Sequence, residues 1–171
     1  MGNAYKIVVT GPFNVGKTEF IRTISDIPII STERRITDHL RATKEETTVA
    51  MDYGQVRLGD DMFHLYGTPG QSRFDFMWDI LAKEMDAFLV LVDSSDRETF
   101  LRAKQLLRIF SHKDRVPCLV VANKQDVDGA LPVSKIAKAL GLKSDIPIVP
   151  CIATQKRSVR KVLDELKGLL K

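Results

Sequence analysis

The chain has 171 residues, 44% of them hydrophobic and 28% charged, with a formal net charge of +4. That length suits one domain with a sizeable core, expected to run over residues 1–171, and ordinary usage of glycine (10) and proline (7) excludes collagen-like and low-complexity classes. The charge permits a nucleic-acid or anionic-membrane partner without demanding one; Lys and Arg are spread along the chain with no dense basic block, so no nucleic-acid partner is expected.

In chain order, the first predicted element is a buried strand over residues 5–10, whose apolar run is too short for a signal-peptide core. A helix opens at Lys17. Residues 27–46 carry no clear pattern and read as a functional or mobile loop. A hairpin follows over 48–66, with Gly59-Asp60 as its turn. Further buried strands are predicted at 87–92, 118–122 and 146–151, with amphipathic helices in 97–111 and in the last stretch. Alternating strands and helices imply right-handed βαβ units and a sheet covered on both faces, here a doubly wound α/β fold of six mostly parallel strands. The longest apolar run, 87–92, is far short of the ~18–20 residues of a membrane span. Gly2 is followed by Lys6 where a myristoylation signal has Ser or Thr, and the end Leu169-Leu170-Lys171 has no prenylatable Cys. A soluble, cytoplasmic chain with no anchor of its own is expected, held at a membrane only through a partner. Cys118 and Cys151 match no zinc or redox spacing and read as small core residues.

The hairpin turn also sets a register. With a two-residue loop Leu58 faces Asp61, so Asp52 lies opposite Gly67, on the face that carries Val56, Phe63 and Leu65. A loop one residue longer would turn Asp52 to the other face, toward solvent or an effector.

Gly11-Pro12-Phe13-Asn14-Val15-Gly16-Lys17-Thr18 is a complete G-x-x-x-x-G-K-[ST] string between a strand and a helix, the context of a P-loop. Gly11 and Gly16 permit unusual backbone angles, so successive N–H groups of Asn14, Val15, Gly16, Lys17, Thr18 and Glu19 can cradle phosphate at a helix N-terminus. Lys17 supplies a point charge to the outer phosphates, and Thr18 a hydroxyl for Mg²⁺. Asn123-Lys124-Gln125-Asp126 directly follows the strand at 118–122. A carboxylate at that position can accept from both the ring N–H and the exocyclic amine of guanine, donors that adenine lacks there.

With both motifs present, the chain resembles a small GTPase of the Ras superfamily over essentially its whole length. Gly67-Thr68-Pro69-Gly70-Gln71-Ser72-Arg73-Phe74 resembles the D-T-A-G-Q-E-R-F switch II signature, and Thr48-Val49-Ala50-Met51-Asp52-Tyr53 the T-I-G-V-D-F of Rab-like switch I. The strings 121–126 and 151–154 are similar to Arf-type guanine loops. Tyr66 to Gln71, followed by Phe76-Met77-Trp78-Asp79, is most similar to prokaryotic small GTPases of the conservon-associated and MglA-like kinds. The resemblance implies GTP or GDP as the bound nucleotide, with Ala153 offering its N–H to guanine O6 beside Thr154. It implies Mg²⁺ held by Thr18 and by Thr48 or its neighbour Thr47, a γ-phosphate contact from Gly70, and Gln71 orienting the attacking water.

Two departures stand out. Gly67 replaces the Asp that the family links to Mg²⁺, and Asp52 opposite it is the candidate substitute. Phe13 stands where a small residue is usual beside the γ-phosphate, which bears on access for a partner's catalytic arginine. The expected function is a GTP/GDP switch with slow Mg²⁺-dependent hydrolysis, served by an effector, an exchange factor and an activating protein. The alternative is a nucleotide-binding interaction module with little or no hydrolysis; a P-loop metabolic kinase lacks room for its acceptor pocket and lid. Arg34, Arg35 and Arg41 are the arginines in the unassigned stretch. Phe76 and Trp78 suit either an effector surface or a packed helix. His39, His64 and His112 share no metal spacing and read as structural or solvated.

Overall fold

The computed structural model describes residues 1–38, 45–69, 83–111 and 116–170, with the backbone alone at 32–38, 45–49, 110 and 111. Strand β1 (Ala4–Thr10) has consecutive apolar residues, so both of its faces must be covered. Ile7 and Val9 pack in one hydrophobic layer and Val8 in the other. The first layer is closed by α1 (Lys17–Ile24), through Phe20, Ile21 and Ile24, and by α4 (Lys156–Leu169), through Val159, Val162, Leu163 and Leu166. The second is closed by α2 (Thr99–Ser111) and α3 (Val133–Leu140), with Phe100, Ala103, Leu106, Leu107, Ile136 and Leu140 inward. Helices on both faces of the sheet are what the strand–helix alternation requires.

The remaining strands are β2 (Ile30–Asp38), β3 (Glu45–Leu58), β4 (Asp61–Gly67), β5 (Ala87–Asp93), β6 (Cys118–Asn123) and β7 (Ile148–Pro150). They form one sheet in the order β2-β3-β4-β1-β5-β6-β7. The pairings β1–β4, β1–β5, β5–β6 and β6–β7 are parallel, and β2–β3 and β3–β4 antiparallel. The sheet therefore has seven strands where six were expected. The addition, β2, lies within the patternless stretch 27–46 and pairs with β3 from Ile30↔Tyr53 to Asp38↔Glu45. An edge strand held by its backbone ladder needs no apolar alternation, and its charged residues discourage pairing with other chains. β7 is shorter than the apolar run that announced it. Helix α3 had no assignment from sequence because its buried face is only Ile136 and Leu140, before Gly141 ends it at φ 61°.

The hairpin register follows the turn as expected: Leu58 pairs Asp61 across Gly59 (φ 65°), and Asp52 pairs Gly67. The turn is tied to α4. Lys167 Nζ donates to Leu58 O at 2.8 Å and pairs with Asp61 at 2.9 Å, while Asp61 Oδ1 accepts from the Asn3 backbone N–H. Both side chains are largely covered (23% and 15% exposed), so this bond is poorly screened. Replacing Lys167 with Met keeps the stem and strands the carbonyl and carboxylate; urea unfolding should report a loss of about 1–3 kcal/mol.

Candidate functional site

The string 11–18 turns out of β1 and enters α1 with the dihedrals that its glycines permit. Gly11 and Gly16 have φ 147° and 102°, and Asn14 has φ 64°. At both glycines a β-carbon would also collide, at Gly11 with Leu91 O and at Gly16 with Asn123 Nδ2, 2.5 Å from where that carbon would stand. The tight loop is thus required by packing as well as by dihedral preference. Lys17 curls over it and donates to Gly11 O (2.7 Å) and Pro12 O (2.8 Å). Burial first, then repulsion from Arg102, lower the Lys17 ammonium to about 8, against the pull of Asp52. Phe13 stands 72% exposed at the lip of a cavity of about 510 Å³ that Gly16, Lys17, Thr18, Asp52, Gly67 and Lys124 also line.

The second motif meets the first through side chains. Asn123, 2% exposed at the end of β6, donates from Nδ2 to Val15 O (2.8 Å) and accepts at Oδ1 from the Ala153 N–H (2.9 Å). Lys124 (φ 63°) donates to Asn14 O (2.7 Å) and pairs with Asp93 at 2.9 Å. Gln125 Nε2 donates to Ser94 Oγ (2.7 Å) and Leu131 O (3.1 Å). The loop is thereby fixed, and Asp126 and Thr154 stand exposed beside it, with Ala153 buried. Asp93 is a site residue that the sequence reading missed. Burial alone would raise its carboxyl, but hydrogen bonds from Ser95 and Lys124 prevail and hold it below the ordinary value. The available signal was an acidic residue directly after the apolar run 87–92.

Asp52 projects toward α1, where Thr18 Oγ1 donates to its Oδ2 at 2.6 Å. Gly67 opposite lies close against α1. A β-carbon there would lie 2.8 Å from Ile21 Cδ1 and 3.4 Å from Asp52 Cβ. Gly54 admits the same helix, since a β-carbon would meet Ile21 Cγ2 at 2.6 Å. Helix α1 therefore sits close against the hairpin, and the carboxylate beside Thr18 comes from β3, not from the end of β4.

Thr48, expected beside Thr18, is not brought there. It pairs with Arg35 in the edge ladder, as Thr47 does with Ile36, four residues or ~13 Å along β3 from Asp52. Gly70, Gln71, Phe76, Trp78, Arg41, His39 and His112 lie outside the described residues. His64 has a structural setting, with Nδ1 2.7 Å from Tyr53 Oη and the two rings stacked. Cys118 and Cys151 are thiols that burial pushes up to about 12 and about 11, as expected of inert core residues. Among the described residues no helix is long and apolar enough to cross a membrane, and no three His, Cys, Asp or Glu side chains gather as a metal cluster.

Comparison with known proteins bears on the family and the fold. The family model described as the ADP-ribosylation factor family matches residues 2–169. An uncharacterized protein of Methanocaldococcus jannaschii is 31% identical over 134 residues, covering 77% of this chain and 76% of that one. ADP-ribosylation factor-related protein 1 of Rattus norvegicus is 29% identical over 141 residues, covering 79% of this chain and 66% of that one, just under two thirds of its length. Among solved structures, the Arl6 (BBS3) small GTPase from Trypanosoma brucei with bound GppNp has the same fold at TM-score 0.75 and 22% identity, covering 98% of this chain and 97% of that one. The chain belongs to the ADP-ribosylation factor family of small GTPases.

Proposed function

We propose that the chain works as a GTP/GDP switch with slow Mg²⁺-dependent hydrolysis, as one small-GTPase domain over residues 1–171. The observation that carries this reading is the Asn123 amide, which joins the phosphate loop at Val15 to the base loop at Ala153. The two ends of one nucleotide are then gripped by loops that share a buried bond. The backbone of Asn14 to Glu19 meets the phosphates, Lys17 neutralises the outer ones, and Asp126 accepts from guanine while Ala153 and Thr154 border its O6. Lys124 carries the base loop against Asn14, and Asn123 holds both loops in place.

Thr18 and Asp52 are hard oxygen donors 2.6 Å apart in the cavity, the kind of set that holds Mg²⁺ together with phosphates and retained waters, so they fit the ion. When bound, Mg²⁺ neutralises charge that develops on the phosphate oxygens. Thr48 joins this group only after the β2–β3 ladder opens, so γ-phosphate binding competes with the edge pairing. Gly70 and Gln71 keep the roles that the resemblance implies, a γ-phosphate contact and orientation of the attacking water. No motif supplies a catalytic arginine, which typically contributes roughly 10³–10⁵ in rate, and hydrolysis by the isolated chain is accordingly slow. Effector, exchange factor and activating protein are the partners of such a switch. Its place is the cytoplasm, at a membrane through a partner. The finer kinship we favour is with the prokaryotic conservon-associated and MglA-like kinds, on the string Tyr66 to Gln71 and the Phe76-Met77-Trp78-Asp79 that follows.

The second reading, an interaction module that binds nucleotide without turnover, is favoured by Gly67. Single-turnover GTP hydrolysis separates the two, and Asp52→Ala is the informative variant. We expect slow hydrolysis by the parent, with the Mg²⁺ concentration for half-maximal rate raised on the order of 10–100-fold in Asp52→Ala and metal-free GDP binding little changed. Parent chain that leaves GTP intact establishes the module instead.

Base recognition has its own measurement. Asp126→Asn exchanges one acceptor for an amide donor, so the variant should prefer xanthosine triphosphate to GTP in competition binding. A retained preference for GTP would refute the assignment.

A third expectation concerns pH. Lys17 titrates at about 8 in the nucleotide-free chain, so metal-free GDP affinity should fall about fourfold between roughly pH 7 and pH 8.5, as binding must return a proton to the amine. Lys17→Arg, which stays charged, should remove that slope. Stability of the empty fold moves the opposite way: it rises from about 8 toward 10.5, because the unfolded chain keeps a proton that the folded chain has released.

A further inference from the structure

Among the described residues, two acids line the cavity at the phosphate loop, Asp52 and Glu19. Asp52 accepts from Thr18 on the hairpin side of α1. The Glu19 carboxylate has no part in the nucleotide reading, which uses only its backbone N–H. It pairs through Oε2 with Arg22 NH1 at 3.0 Å, and Arg22 lines the same cavity. An acid in the first turn ordinarily serves the helix dipole. Here the same helix end must receive phosphates, so the carboxylate opposes anion binding except where Arg22 offsets its charge. The helix also turns Glu19 away from Asp52. It follows Thr18 by about 100° and stands about 160° round from Ile21, which presses on Gly54 and Gly67. Residues one turn apart share a side, and Glu19 comes one turn after Gly16, where a β-carbon would meet the Asn123 amide. Its side chain therefore leaves α1 on the side of the base loop.

Building on the nucleotide-switch reading, we propose that the Glu19 carboxylate reads the ribose of the bound nucleotide, accepting from its 2′- and 3′-hydroxyls. Donor chemistry and position carry this assignment. A carboxylate only accepts, and a guanine nucleotide offers N–H and O–H donors at the base and the ribose alone. The base donors go to Asp126, which leaves the sugar. The Glu19 N–H is the last of the phosphate-facing series, so its side chain starts where the phosphates give way to the ribose. The ribose joins phosphate to base, and Glu19 stands on the base-loop side of the helix that holds the phosphates. Arg22 engages Oε2 and leaves Oε1 for the sugar. Adjacent hydroxyls on one ring suit a single carboxylate, which has lone pairs for both. A site that hydrogen-bonds a hydroxyl discriminates against the analogue that lacks it. Because the Glu19 side chain is 42% exposed, water moderates the effect to about tenfold.

The test is competition against tritiated GDP on the full chain in metal-free buffer. GDP and 2′,3′-dideoxy-GDP carry the same base and the same phosphates, so the ratio of their affinities isolates the two hydroxyls. The parent should favour GDP about tenfold, and Glu19→Ala should favour it less than about twofold. Glu19→Gln keeps one acceptor oxygen without the charge and should fall between them. An acid that served only the helix end would change both affinities alike and leave the ratio where it was. Equal binding of GDP and dideoxy-GDP by the parent overturns the proposal, and so does the parent's full preference retained in Glu19→Ala. Both of those results leave guanine-nucleotide binding standing. A parent chain that takes up no tritiated GDP defeats the switch reading itself, and the sugar contact with it.

Discussion

The side chain of Asn123 is the bond on which the site depends. It leaves the end of a buried strand with an amide NH2 and a carbonyl oxygen, and it donates to Val15 O on one side and accepts from the Ala153 N–H on the other. A buried amide left without partners costs about 1–3 kcal/mol, so the pair of bonds fixes the separation of the phosphate loop and the base loop. Gly16 belongs to the same constraint, since any β-carbon there would strike the Asn123 amide. Lys124 repeats the tie one residue on, bonding Asn14 O and the Asp93 carboxylate. Three chain segments far apart in sequence thus close around one cavity through two consecutive side chains.

A second constraint governs the opposite wall. Helix α1 presses on the hairpin at two glycines, and Ile21 occupies the space that side chains at 54 and 67 would need. The end of β4 carries no side chain at Gly67, and the carboxylate beside Thr18 arrives from the neighbouring strand. Cross-strand partners share a face of the sheet, so Asp52, which faces Gly67, reaches Thr18 on α1.

The charge of the molecule divides along the same axis. At the carboxyl ends of the strands the cations Lys17 and Lys124 are occupied, by loop carbonyls and by Asp93. At the other edge Lys104 and Lys143 stand at the rim of an apolar floor made by Leu107, Leu140, Leu142 and Ile146. The modest net charge of +4 hides this difference, because the average over a surface says nothing of how cations and apolar groups are juxtaposed.

What the sequence by itself determined was whatever local chemistry encodes. The P-loop, its helix, the base motif, the buried strands and the long helices were legible, since glycine dihedrals, apolar runs and 3.6-residue periodicity act within a few residues of one another. The Asp52–Gly67 pairing was legible too, because a two-residue turn sets every later partner. Tertiary structure alone decided the edge strand β2, the position of Thr48 in that ladder, the Asp93–Lys124 pair and the groove between α2 and α3. β2 is held by backbone hydrogen bonds, which any side chain can accompany, so its residues carry no pattern. The two hydrogen bonds of Asn123 reach residues 108 and 30 positions away. Such contacts come into being only when the sheet brings the ends of distant strands to one edge, and no local preference along the chain records them.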